Sequence, residues 1–410
     1  MKIKRSLSNQ IVESFSDTPV SLVVGPRQSG KSTLVQMELG ASKIPYITLD
    51  DPTNLQAAKA DPLGFLEHLK RHVIIDEVQR ALELLLPLKM LVDRQRDQVR
   101  FVLTGSANVL NLPKVADSLA GRMEIKTLWP LSQGEIESHH ENFIDTIFSD
   151  KSLPDVMPCD YRNLVERMVT GGFPEAVLRK DAKRRKQWFK SYLNALIQRD
   201  IRELAHISNL ATLPMLLDFL ATRVGSLLNT ADISRMSGIS ATTLKRYLAL
   251  FENIFLTVRL KPWFVRADKR IVKTPKLYFN DAGILCSLLK LDIDTLLSQR
   301  VLTGPVFENF VVMELIKQAT WSECAPELFH FRSHSGDEVD IVLEVSPQNL
   351  VGVEIKLAAQ VHIDDFNGLR KLQEIAGDRF HRGIILYTGS QVVVFSKKFM
   401  AVPVSALWQY

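Results

Sequence analysis

The sequence predicts an α/β fold in which a parallel-sheet domain comes first, followed by helices, a helix-turn-helix and a smaller second α/β domain. Three observations carry that reading. Apolar runs at Val20-Ser21-Leu22-Val23-Val24, Val73-Ile74-Ile75 and Phe101-Val102-Leu103 each end in polar or glycine residues, as buried strands do. Residues 229–260 read as helix, glycine turn, helix and hairpin. Residues 339–345 and 351–357 alternate with period two, the pattern of paired strands.

At 410 residues the chain exceeds what one hydrophobic core usually supports, so two or three domains are expected. With 46% hydrophobic and 24% charged residues, the composition argues against a disordered protein. Cys159, Cys286 and Cys324 form neither a disulfide framework nor a C-x-x-C metal pattern, which fits a reducing cytoplasm. Met1-Lys2-Ile3-Lys4-Arg5-Ser6 has charge but no apolar stretch behind it, and no run is long enough to span a bilayer. A soluble, cytoplasmic protein is expected. The net charge of +5 permits polyanion binding without requiring it.

The stretch Gly25-Pro26-Arg27-Gln28-Ser29-Gly30-Lys31-Ser32 matches the phosphate-loop pattern G-x-x-x-x-G-K-[ST], with a strand before it and Thr33-Leu34-Val35-Gln36-Met37 continuing as helix. Glycines let backbone N–H groups converge on phosphate oxygens, Lys31 neutralises β- and γ-phosphates, and Ser32 offers a hydroxyl to Mg2+. Gly25 to Thr33 is therefore the candidate nucleotide-binding stretch, a glycine turn with a solvated lysine being the plainer alternative. A leading helix is expected over 6–15, and Ile44-Pro45-Tyr46-Ile47-Thr48-Leu49 reads as a strand ending in Asp50-Asp51-Pro52. Val73-Ile74-Ile75-Asp76-Glu77 ends in two acids: Asp76 to hold the Mg2+ water shell and Glu77 to polarise the water that attacks the γ-phosphate. A helix N-cap at Asp76 would look the same. After the strand at 100–104, Gly105-Ser106-Ala107-Asn108 places small polar groups where a γ-phosphate can be sensed. A helix over 112–119 breaks at Ala120-Gly121-Arg122 before a strand over 123–128. Arg122 is the candidate finger for a neighbouring subunit's γ-phosphate, so a homo-oligomer, as a ring or hexamer, is expected.

The succession GPRQSGKST, LDDP, IIDEVQR, LTGSAN and SLAGR, with LWPLS behind it, resembles a prokaryotic AAA+-type ATPase family of the archaeal-ATPase-like kind, whose members carry a C-terminal domain of unknown function. GGFPEAV, QRDI, LYFNDAG, GDEVDIVLE and VGVEIKL extend the resemblance over nearly the whole chain. It implies a P-loop AAA+-type parallel sheet with a helical lid, ATP and Mg2+ as cofactors, and hydrolysis coupled to DNA or to a regulatory switch.

Residues 132–158 read as an irregular connector and 161–207 as helical, interrupted at Gly171-Gly172-Phe173-Pro174. The run Arg179-Lys180-Asp181-Ala182-Lys183-Arg184-Arg185-Lys186 is either a DNA phosphate-contact patch or a solvated helix face. Farther on, Ile233, Met236, Ile239, Leu244 and Leu248 would bury one face and leave Thr242, Thr243, Lys245 and Arg246 outward, as in a winged helix-turn-helix that binds DNA or packs on a neighbour.

Beyond a boundary near Gln299, a helix over 306–318 carries Glu308, and a strand lies around Phe329-His330-Phe331-Arg332. With Ile341, Leu343 and Val345 on one face, Asp340 lies opposite, and Glu354 shares its face with Lys356, so antiparallel pairing gathers Asp340, Glu354 and Lys356. This is the arrangement of the PD-(D/E)XK nucleases and implies a restriction-endonuclease-like α/β domain. Asp340, Glu354 and Glu308 are then the candidate Mg2+ ligands, and Lys356 the residue that positions or deprotonates water. No Pro-Asp is present, and solvated acids on a hairpin, or a fold kept for DNA binding alone, would give the same pattern. Asp364 is expected to cap a last helix containing Phe366, Leu369, Leu372 and Ile375, followed by strands at 383–387 and 392–395.

The expected division is an ATPase core over 1–130, a connector and lid over 131–220, a winged helix-turn-helix over 221–298 and a nuclease-like domain over 299–410. The expected function is a Mg2+-dependent ATPase acting on DNA, with metal-dependent cleavage in the last domain. The alternative is an ATP-controlled switch whose C-terminal half binds DNA or protein without cutting.

Overall fold

The computed structural model describes residues 3–40, 44–96, 98–107, 121–151, 153–201, 212–265, 274–333, 335–347 and 349–410. Asn108, the expected helix over 112–119, Ala120 and residues 202–211 lie outside them. The chain divides into two units, Lys2–Pro130 with Phe251–Leu256, and Leu131–Leu250 with Thr257–Tyr410.

In the first unit, Val20–Val24 forms β1, with every residue buried. Strands β2 (Tyr46–Thr48), β3 (His72–Asp76), β4 (Arg100–Gly105) and β5 (Met123–Thr127) join it in the order β2-β3-β4-β1-β5. All pairs are parallel. A parallel sheet needs both faces covered, which explains the continuous rather than alternating apolar runs. On one face Val20, Leu22, Val73, Ile75, Phe101 and Leu103 pack with Leu84, Leu85 and Leu88. On the other, Val23, Ile74 and Val102 meet Ile11, Leu34 and Val35 from helices Ser8–Asp17 and Lys31–Leu39. The leading helix lies two residues later than expected. Asp51 caps helix Pro52–Ala60, accepting from the N–H groups of Thr53 and Asn54.

In the second unit, the stretch expected to be irregular contains helices Gln133–Glu137 and Phe143–Phe148. A capping box between Ser132 and Glu135 starts the first, and burial of Phe143, Ile144 and Ile147 anchors the second, so the weak periodicity misled. Helices Tyr161–Thr170, Pro174–Val177 and Ala182–Ala195 follow. The helix-turn-helix forms as helix Thr230–Ser237, capped by Asn229, then Gly238 at φ 70°, then helix Ala241–Asn253. Ile233, Ile239, Leu244 and Leu248 are buried as expected, but Met236 is 59% exposed. Lys245 and Arg246 are exposed.

Strands β6 (Thr257–Pro262) and β7 (Lys276–Phe279) pair antiparallel after the helix-turn-helix. They do not stand apart as a wing. β6 also pairs in parallel with β8 (Glu327–Arg332), through Lys261 opposite Phe329. The hairpin therefore forms one edge of an eight-stranded mixed sheet, β12-β13-β11-β10-β9-β8-β6-β7. Its other members are β9 (Glu338–Ser346), β10 (Asn349–Lys356), β11 (Phe380–Tyr387), β12 (Val393–Val394) and β13 (Phe399–Pro403). This shared sheet joins the two sides of the expected boundary near Gln299. Helix Asn367–Ala376 covers one face through Leu369 and Leu372, and helix Arg300–Ala319 packs on β7 and β10. Asp364 does not cap the last helix: it sits in a short 3-10 turn, Ile363–Phe366, where Asp365 closes back on His362. Ile375 is 40% exposed.

Candidate functional site

In the first unit the loop after β1 turns into helix Lys31–Leu39 through left-handed backbone at Gly30, φ 97°. Gly25 has φ 149°, and a Cβ there would lie 2.2 Å from the Leu128 carbonyl oxygen, so both the angle and the space require glycine. Lys31 is buried, and its ammonium donates to the carbonyls of Gly25 (3.0 Å) and Pro26 (2.9 Å). Arg5, which no motif singles out, ties the loop down: Nη1 donates to the Ser29 carbonyl (2.8 Å) and Nη2 to that of Trp129 (2.7 Å). Arg27, Gln28 and Thr33 lie toward the surface of the same stretch.

Asp76 ends β3 and is buried. Its Oδ1 accepts from Ser32 Oγ at 2.8 Å and from Thr104 Oγ1, and its Oδ2 from Tyr46 Oη at 2.5 Å. Burial first, then the Asp76 carboxylate, raises the Tyr46 phenol well above its ordinary value. A hydroxyl beside a carboxylate, next to a glycine loop and a lysine, is the oxygen donor set that suits Mg2+, which takes few protein ligands and completes its shell with water and phosphate. Asp76 is thus not a helix cap. Thr104 and Tyr46 escaped sequence reading because they reach Asp76 only through the placement of β4 and β2 on either side of β3.

Glu77 follows at φ 61°, a conformation that turns its side chain away from the strand direction. Its backbone N–H donates to Thr104 Oγ1 (3.2 Å), and its carboxylate accepts from Ser106 Oγ (3.1 Å) and from Gln79. Gln79 in turn donates to Ser106 Oγ (2.9 Å). Ser106, expected as a phosphate sensor, here holds the acid. Arg122 pairs with Asp93 of helix Leu85–Gln95, with Nη2 to Oδ2 at 3.1 Å.

In the second unit the expected acids do converge. Register places Ile341 opposite Val353, so Asp340 and Glu354 meet across β9 and β10, and the Ile355 N–H donates to Asp340 Oδ2 (3.0 Å). Lys356 Nζ lies 3.1 Å from Glu354 Oε1 and 4.0 Å from Asp365. Glu308 projects from helix Arg300–Ala319. Two residues of β7 that were not foreseen complete the cluster. Lys276 Nζ lies 3.1 Å from Asp340 Oδ1 and 3.2 Å from Glu308 Oε1, and Tyr278 Oη donates to the same Glu308 oxygen (2.7 Å).

Burial raises the Glu354 carboxyl to about 8, with Asp340 adding to the effect and Lys356 only partly opposing it. Glu308 is raised for the same two reasons, burial and then Asp340. Burial opposes the charge on Lys276, but the carboxylates of Asp340 and Glu308 outweigh it and hold the ammonium above the lysine range. His330, buried on β8, is pushed down to about 4 by burial and then by Lys276, so it is neutral. Among the described residues, no three His, Cys, Asp or Glu side chains are grouped so as to hold a metal ion.

Of the exposed basic run, Lys183, Arg184 and Lys186 face outward, whereas Arg185 donates to the Arg179 carbonyl (2.8 Å) and Arg179 pairs with Glu175 (2.5 Å). No helix among the described residues is long and apolar enough to cross a membrane.

Residues 17–137 match the model of an AAA domain family. Residues 161–295 and 303–407 match two domains of unknown function, DUF8612 and DUF4143. An uncharacterised protein of Mycobacterium tuberculosis, Rv2008c, is 28% identical over 404 residues, 98% of this chain and 83% of its own length. An uncharacterised protein of Methanocaldococcus jannaschii, MJ1544, is 21% identical over 374 residues, covering 85% and 81%. Among solved structures, the Walker-type ATPase PABY2304 of Pyrococcus abyssi is similar at 16% identity with a TM-score of 0.41, covering 68% of this chain and 94% of that one. The RuvB Holliday junction branch migration motor of Thermotoga maritima is similar at 18% identity and a TM-score of 0.30, covering 63% and 90%. Those two structural likenesses are too distant to build on. The family match and the loop geometry together make the first unit an AAA-type P-loop domain.

Proposed function

We propose that this chain is a Mg2+-dependent ATPase of the AAA+ kind that works as a cytoplasmic homo-oligomer and uses ATP to act on DNA held by its second unit. The observation that supports this most is the hydrogen bond from Ser32, at the end of the glycine loop, to Asp76, with Glu77 next in the chain after Asp76. The loop N–H groups and Lys31 bind and orient the phosphates, with Lys31 giving up its two carbonyl partners to do so. Ser32 and Asp76 would hold Mg2+, which when bound would neutralise charge on the phosphates. Glu77, released by Gln79 and Ser106, orients the attacking water and takes its proton. Arg122 serves a neighbouring subunit only after leaving Asp93. Changing Lys31 to alanine tests the nucleotide site: ATP affinity in equilibrium dialysis should fall at least about tenfold, and unchanged affinity would refute the assignment.

DNA contact is proposed for the exposed face of helix Ala241–Asn253, through Lys245 and Arg246, with Lys183, Arg184 and Lys186 as a second contact. The double variant Lys245→Ala/Arg246→Ala should lower the slope of log affinity against log salt by about 2 in duplex DNA titrations. An unchanged slope removes this helix from the interface. Of the two readings of the C-terminal acids, cleavage rests on the Asp340, Glu354 and Lys356 pattern with Glu308. Binding without cleavage, as in an ATP-controlled switch, is favoured by the position of Lys276.

A further inference from the structure

Asp340, Glu308 and Glu354 occupy the places that a carboxylate metal site would use, yet both oxygens of Asp340 and Oε1 of each glutamate are already engaged. Asp340 accepts at Oδ1 from Lys276 and at Oδ2 from the Ile355 N–H. Glu308 Oε1 accepts from both Lys276 and Tyr278. Glu354 Oε1 pairs with Lys356, which leaves its buried Oε2 without a hydrogen-bond partner. Lys276 cannot be read as a surface lysine that has folded inward, because its side chain is only 6% exposed. Its backbone is pinned on both sides, opposite Leu260 in the β6–β7 ladder and bridged to Leu227. The opposite wall is equally close. A Cβ at Gly225, where φ is 72°, would stand 3.0 Å from both Glu308 carboxylate oxygens, so glycine lets the backbone close over this acid.

Like charges at this range repel strongly in a buried setting, so an ammonium between two carboxylates and a divalent cation on the same oxygens exclude each other. We infer that the Lys276 ammonium is the resident cation of the Glu308, Asp340 and Glu354 cluster, so that this site binds no divalent cation, and that removing Lys276 uncovers a latent divalent-cation site. The ion-paired cluster then serves to lock the β6–β7 hairpin and helix Arg300–Ala319 to the sheet, and cleavage of a phosphodiester at this site has no metal to support it. The inference stands apart from the ATPase reading, since the P-loop residues take no part in it.

The test uses the full chain and Mn2+ as probe, counted by electron paramagnetic resonance of the free ion without nucleotide. Wild type and Asp340→Asn should bind Mn2+ alike, because the cluster takes none in either. Lys276→Ala should gain one Mn2+ site at least about tenfold tighter than any in wild type, and Lys276→Ala/Asp340→Asn should lose it. Should Lys276→Ala not fold, Lys276→Gln carries the same expectation, and the wild-type comparison with Asp340→Asn stands by itself. Mn2+ binding in wild type that Asp340→Asn abolishes would overturn the inference, as would a folded Lys276→Ala that gains no site. Failure of ATP binding in Lys31→Ala leaves all four results unchanged, so the two readings fall separately.

Discussion

Asp76, which is buried, and Asp340, which is half-buried, are both carboxylates on strands, yet they face opposite partners. Asp76 is surrounded by hydroxyls, from Ser32, Thr104 and Tyr46, while the nearby lysine, Lys31, leans on the carbonyls of its own loop. Asp340 is met directly by an ammonium, from Lys276, and by a backbone N–H. Hydroxyls are neutral and can stay as ligands when a cation arrives, so the first acid is poised to exchange partners. An ammonium must leave first, so the second acid is already neutralised. Under the two proposals, one site serves turnover and the other cohesion, although the sequence patterns of both suggest Mg2+.

The largest effect that would sharpen this contrast lies at Lys276. Lys276→Met removes the charge, keeps much of the length and leaves Asp340 and Glu308 uncompensated. Urea unfolding at pH 7 should show a loss of about 3–5 kcal/mol, the range for breaking a buried pair. A loss below about 1 kcal/mol, the level of a surface pair, would mean that Lys276 is not the counter-ion of the cluster.

A smaller effect follows from Glu354. Its carboxyl is raised from an ordinary value of 4.5 to about 8, by burial and then by Asp340. Between those values the folded chain keeps a proton that the unfolded chain has lost, so stability falls as pH rises through the window. The slope from this group is at most about 1.4 kcal/mol per pH unit. Glu354→Gln removes that slope, so the variant should gain on wild type from pH 5 to pH 8 in urea unfolding. A difference that stays constant across that range contradicts the assignment.

The first site was legible because its parts are local. The glycines, Lys31 and Ser32 occupy one loop, and Asp76 and Glu77 sit at the end of one apolar strand. Thr104 and Tyr46 were not legible, since only the sheet order puts their strands beside β3. The same limit is sharper in the second unit. Period two gathered Asp340, Glu354 and Lys356 correctly, but Lys276 lies 64 residues from Asp340 and 32 from Glu308, on a hairpin that reads as a separate wing. No local pattern announces that β6 pairs with β8, so neither the merged sheet nor the lysine it delivers could be anticipated. Asp364 was misplaced for a smaller reason, a shift of two residues at a helix start.

The central claim, that the first site hydrolyses a nucleotide while the second is metal-indifferent, is tested most directly by the steady-state rate of phosphate release from Mg2+-ATP by wild type and Glu77→Gln. If Glu77 activates the attacking water, the variant should still bind ATP but turn it over at least about a hundredfold more slowly. Equal rates in the two proteins would contradict it.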